Sequence, residues 1–185
     1  MPSKVNTAYR IQDKATRASV PFWAVTMFIT AVTVFWFILA VSAIHVIEEY
    51  SAGWVKWVNR SVTPISGITM GQFYVVNGIF IFLCTLAVII NTVFPIYSLS
   101  IAALLFINAI IHIGGTIKFK GYTPGVASAI ILYVPFSLCT YYLYVQAELL
   151  TLMTFVLSLA LGGLWMTLAV AFALVHNRHP RKPKK

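Results

Sequence analysis

FWAVTMFITAVTVFWFILAVSAIHVIEEY, residues 22–50, is the stretch whose reading decides the fold. From Phe22 to Ile44 it carries no charge. A helix needs about 20 apolar residues to cross the hydrocarbon of a bilayer, so this run is long enough to span. It ends in His45-Val46-Ile47-Glu48-Glu49, which holds two of the chain's four acidic residues. An ionised carboxylate costs about 2.5–3.5 kcal/mol at mid-bilayer and less near an interface. A chain with so few acids that places two of them here is expected to use them. At about 100° per residue, His45, Glu48 and Glu49 fall within an arc of about 100° and face one neighbour.

The rest of the chain has the same character. It is 60% hydrophobic and 9% charged, against about 25% charged in a soluble domain. The expectation is an all-α, polytopic transmembrane helical bundle of about five spans. A length of 185 residues suits one such bundle. Residues 1–21 read as a basic N-terminal segment, 22–176 as the bundle and 177–185 as a basic C-terminal tail. The first apolar run exceeds a signal-peptide h-region and lacks a small-residue cleavage site, so it reads as a span. Cys84 and Cys139 lie inside apolar runs, which excludes a metal-binding cysteine spacing. The terminal basic residues mark topology and contact with anionic lipid headgroups rather than nucleic acid.

Hydropathy places spans at about 22–47, 74–93, 96–117, 125–146 and 149–175. Spans two and three are joined by a tight hairpin at Asn91-Thr92-Val93-Phe94-Pro95, and spans four and five around Gln146-Ala147-Glu148. The one substantial loop runs from Tyr50 to Phe73, with Gly53, Pro64, Gly67 and Gly71 as breakers and Trp54 and Trp57 as interfacial anchors. Gly114-Gly115 and Gly162-Gly163 read as sites of close helix packing. With five spans, one membrane face collects Lys56, Arg60, Lys118, Lys120 and the basic residues Arg178, Arg181, Lys182, Lys184 and Lys185. The other face has Lys4, Arg10, Lys14 and Arg17. The positive-inside rule then predicts a cytoplasmic C-terminus.

The same span count brings other polar residues to the level of His45. Asn108 and His112 are one turn apart on one face of span three. Asn77, preceded by Gln72, opens span two there, and His176 closes span five. Imidazole and carboxylate together suit a divalent metal such as iron, zinc or manganese, with His45, Glu48, Glu49 and His112 as the ligand set. The spacing His45-x-x-Glu48 is the reverse of the Glu-x-x-His of di-iron bundles. Without a metal, the same carboxylates and imidazoles could serve as general acid and base. Glu48 and Glu49 pairing with Lys56 or Arg60, and Asn108 and His112 bonding between helices for structure alone, are the plainer readings.

His45-x-x-Glu48-Glu49, Asn108-x-x-x-His112 and Tyr122-Thr123-Pro124-Gly125 occur in this order over residues 45–125. In these motifs the chain resembles the HXXEE-domain membrane proteins. That family carries no general assigned activity, so the resemblance implies site positions and not a reaction. A looser likeness to intramembrane glutamate proteases of the CAAX-processing type fails at Gly53, where their motif has arginine.

The leading expectation is a membrane enzyme with a hydrophobic or lipid-like substrate. Glu48, Glu49, His45 and His112 would be its catalytic residues, and Asn108, Asn77 and Tyr122 would contact substrate or support them. Metal-dependent oxidation or hydrolysis is expected first, metal-free isomerisation or cyclisation second. A non-enzymatic lipid-binding, transport or accessory protein is the alternative.

Overall fold

The computed structural model describes residues 21–62 and 67–175. The terminal basic segments, Pro64 and His176 lie outside the described residues. The chain forms α1 (Phe22–Thr33), α2 (Trp36–Ser51), α3 (Trp54–Ser61), α4 (Met70–Ile90), α5 (Pro95–Phe119), α6 (Val126–Ser128), a π-helical turn (Ala129–Tyr133), α7 (Val134–Gln146) and α8 (Leu152–Val175). Five helical stretches are long and apolar enough to cross a membrane: Phe22–Ser51, Met70–Ile90, Pro95–Phe119, Val126–Gln146 and Leu152–Ala173. This is a multi-pass, all-α membrane protein.

Two details differ from the hydropathy reading. The loop after the first span contains a helix, α3, which begins after Gly53 in the left-handed conformation (φ 73°). Its Trp57 packs edge-on against Phe119 and its Val58 is buried, while Lys56 and Arg60 are exposed. An eight-residue helix with that pattern lies along an interface rather than through it. The fourth span also carries the π turn, just before Pro135. Proline cannot donate to the carbonyl one turn back and its ring crowds it, so a widened turn there relieves the clash.

The axis of the bundle is α5. Leu99, Ile101, Ala102, Ala103, Leu105 and Ala109 are fully or almost fully buried on it. Small residues let neighbours approach closely. A Cβ on Gly162 of α8 would stand 2.7 Å from the Ala103 Cβ and 2.8 Å from the Ser100 carbonyl oxygen, so only glycine fits that crossing. Polar side chains tie spans together: the Ser98 hydroxyl donates to the Ala87 carbonyl at 2.9 Å and that of Ser137 to the Ala102 carbonyl at 2.8 Å. Outward-facing Trp36, Phe37, Ile47 and Phe82 are exposed, as suits a surface solvated by lipid tails.

Candidate functional site

The first span delivers His45 and Glu49 to one helix face, four residues apart, and α5 delivers His112. All three are buried, with 2%, 6% and 4% of their surface exposed. Glu49 Oε1 lies 3.2 Å from His112 Nε2 and 3.7 Å from His45 Nε2. The two imidazoles cross nearly at right angles, with ring centroids 5.0 Å apart. One donor atom from each of the three residues lies within 4.8 Å of the others.

The proton on His45 can be placed. His45 Nδ1 is 2.8 Å from Ser128 Oγ, and that hydroxyl donates to the Gly125 carbonyl at 3.2 Å. A hydroxyl has one hydrogen, and a carbonyl oxygen only accepts. Both bonds form together only when Nδ1–H donates to Ser128. In the neutral imidazole, His45 Nε2 then carries a lone pair facing the Glu49 carboxylate. It is buried and has no hydrogen-bond partner. Two acceptors facing each other in an apolar surround call for a proton or a cation between them.

Glu48 takes a different course from its neighbour. One oxygen, Oε1, accepts from the Tyr122 hydroxyl and from the backbone N–H of Gly125 at 3.2 Å and Ala127 at 3.1 Å. The other accepts from the Ser128 N–H at 2.7 Å. These amides belong to the first turn of the fourth span, where helix N–H groups lack partners within the helix. Glu48 therefore caps that span from another helix, with its charge at the positive end of the helix dipole. The Tyr122 hydroxyl, outside the spans, is pushed up to about 12 by desolvation and by the Glu48 carboxylate it donates to.

Gly125 closes one side of the cluster. Its φ of +95° favours glycine, and a Cβ there would meet His112 Cε1 at 2.7 Å, His45 Cε1 at 2.9 Å and Glu49 Cγ at 3.0 Å. On another side, the Tyr133 ring lies 4.3 Å from the His45 ring.

Set against the sequence reading, the structure brings His45, Glu49 and His112 together and turns Glu48 to the backbone of the fourth span. Tyr122 joins Glu48. Glu49 takes histidine neighbours and Glu48 backbone donors in place of the Lys56 or Arg60 pairing. Asn77 donates within its own helix, to the Phe73 carbonyl at 3.0 Å. Asn108 Oδ1 and His112 Nδ1 are both buried without a hydrogen-bond partner, so the asparagine does not hold that imidazole. Ser128, Gly125 in its packing role and Tyr133 were not singled out from sequence. The motif Tyr122-Thr123-Pro124-Gly125 carried a partial signal for the first two, and Pro135 for the third.

No curated protein and no solved structure matches the chain. A family model described as a protein of unknown function with HXXEE motif matches residues 36–140. That match takes in α2, α5 and the turn at Gly125, which together supply every side chain of the cluster. The chain belongs to the HXXEE family.

Proposed function

We propose that this protein is an intramembrane enzyme whose His45, Glu49 and His112 hold a divalent metal beside a hydrophobic, lipid-like substrate. The observation that carries the reading is the convergence of His45 Nε2, Glu49 Oε1 and His112 Nε2, with separations of 3.2 and 3.7 Å from the carboxylate oxygen to the two nitrogens. Ligands held about 2.1 Å from one ion stand about 3.0–3.4 Å apart; the carboxylate-to-imidazole separations are close to that span, and the three donor atoms, within 4.8 Å of one another, would draw together on a shared metal. Two imidazoles and one carboxylate leave coordination positions open. That donor set serves hydrolytic zinc sites and oxidative non-haem iron sites alike, and manganese accepts it too. Ser128 fixes the tautomer that presents the Nε2 lone pair, the usual task of a residue behind a ligating histidine. Glu48 braces the turn that carries Ser128 rather than acting as a fourth ligand. The excess of basic residues on the face shared with Lys56 and Lys118 supports a cytoplasmic location for the C-terminus and for this end of the bundle.

Elemental analysis of the purified full chain tests the reading. About one iron, zinc or manganese per chain is expected, lost in His45→Ala and in His112→Ala. A parent without metal, and without a gain in thermal stability when each of the three ions is added, would overturn it. The second reading, metal-free acid–base catalysis, draws on the 3.2 Å approach of Glu49 to His112, a distance suited to a shared proton. It gains the ground that a failed metal test gives up.

A further inference from the structure

We propose that a short file of water molecules enters the bundle along one face of α5 and reaches His112 at Nδ1, the ring nitrogen that does not face Glu49. The inference goes beyond the reading above and holds with or without a metal. It brings water, as reactant or as proton carrier, to a site set among apolar spans. Its starting point is four buried polar atoms: Asn108 Oδ1, His112 Nδ1, Thr116 Oγ1 and Thr123 Oγ1. None of them has a hydrogen-bond partner among the described residues. Few buried polar groups in proteins stay unpaired once ordered water is counted.

The four groups line one strip of the bundle. At about 100° per residue, Asn108, His112, Gly115 and Thr116 fall within an arc of about 100° on α5. Side chains one turn apart on such a face stand about 5–6 Å from each other. One water making two hydrogen bonds of about 2.8 Å covers that span. Thr123 joins the strip from the turn before the fourth span. Its Oγ1 lies 3.3 Å from the point where a Cβ on Gly115 would stand, so its hydroxyl rests against the turn of helix between His112 and Thr116. Trp57 of α3 covers the same turn, with Cη2 3.6 Å from that point. The strip ends at the membrane face: Thr116 precedes Lys120 by one turn, and Lys118, Lys120 and Gly121 are exposed.

The chemistry of the strip selects water. Asn108 Oδ1 only accepts, the two threonine hydroxyls donate and accept, and His112 Nδ1 does one or the other according to its tautomer. Water both donates and accepts, so it satisfies all four in either tautomer. An anion would meet the Asn108 oxygen lone pair to lone pair. A cation would need carboxylate neighbours, and Glu49 lies on the Nε2 side of the ring. Trp57 and Thr123 pack closely over Gly115, which leaves little room there for anything larger than water.

Two measurements on the full chain test this. In magic-angle-spinning NMR of the protein in lipid bilayers, magnetisation from water should reach the assigned His112 ring and the Thr116 and Thr123 side chains. Transfer to His112 should slow in the double variant Thr116→Val, Thr123→Val. In thermal melts, Thr116→Val and Thr123→Val should each fall about 2–4 °C below the parent, because a bound water loses a partner. Dry hydroxyls predict the opposite sign, since valine would then remove an unpaired polar group from an apolar surround. Valine variants that melt as high as the parent or higher, or a parent whose His112 receives nothing from water, would overturn the file. Water at His112 in a chain that takes up no metal would uphold the file and overturn the metal reading. Bound metal without water transfer to His112 would do the reverse.

Discussion

The region around Glu48 and the region around Glu49 differ as sharply as two parts of one protein can, although the residues are consecutive. Both Glu48 carboxylate oxygens are used, by three backbone amides and the Tyr122 hydroxyl. Around Glu49 the partners are two imidazole nitrogens, one with no hydrogen bond, and further unpaired atoms lie nearby. A saturated network is what stability requires, and an unsaturated one is what a ligand requires. On the function proposed here the HXXEE motif joins a brace to a ligating group, and the turn at Gly125–Ser128 is where the two meet. It receives Glu48 on one side and touches His45, Glu49 and His112 on the other.

The largest effect should come from disturbing that meeting point. Gly125→Ala introduces a Cβ where His112 Cε1, His45 Cε1 and Glu49 Cγ stand at 2.7–3.0 Å, on backbone with φ +95°. Left-handed strain of about 1–2 kcal/mol adds to overpacking of about 1–3 kcal/mol. A loss of about 2–5 kcal/mol is expected in denaturation in detergent, together with loss of metal. An alanine variant as stable as the parent would mean that brace and cluster are not mechanically joined.

The next effect separates the two glutamates. Glu48→Gln replaces an acceptor oxygen by a donor nitrogen, so either the Ser128 amide or the cluster of three donors loses its partner. The expected cost is about 1–2 kcal/mol, the lower part of the range for charged hydrogen bonds because the site is partly open to solvent. Glu49→Gln should cost less than about 1 kcal/mol, since its amide can donate to the His45 Nε2 lone pair and no charge remains buried. Metal content should respond in the reverse order: kept at least in part in Glu48→Gln and lost in Glu49→Gln. Equal melting losses in the two variants would erase the distinction between brace and reactive group.

The limits of the sequence follow from the same contrast. His45, Glu49 and His112 could be brought together on paper because their spacings are helical and the span count puts them at one end of the bundle. Glu48 could not be told from Glu49. Three and four residues beyond His45 are both acceptable neighbours on a helix, and which carboxylate turns to the fourth span depends on where that span begins. Ser128 and Tyr133 were hidden for a related reason. A serine and a tyrosine in an apolar run are ordinary, and their roles arise from the Gly125 turn and the π turn that aim them. The five spans were legible from hydropathy, whereas α3 was not, because an eight-residue interfacial helix between glycines reads as loop.

The smallest effect tests whether Tyr122 belongs to the brace. It is 55% exposed and donates to Glu48 Oε1 beside two backbone amides that share the same oxygen. Tyr122→Phe should therefore cost only about 0.5–1 kcal/mol. The pH dependence gives the sign. A tyrosine ionises near 10 when unfolded, and here that point is pushed up to about 12. A folded state that holds the proton more tightly than the unfolded one gains stability from it below the unfolded value. The gain drains away as pH climbs between the two, because the phenolate that forms cannot donate and stands against a carboxylate. The difference in melting temperature between parent and Tyr122→Phe should be constant at neutral pH and shrink between pH 10 and about 12. A difference that stayed flat across that window would mean that Tyr122 contributes packing alone and that the backbone amides hold Glu48 without it.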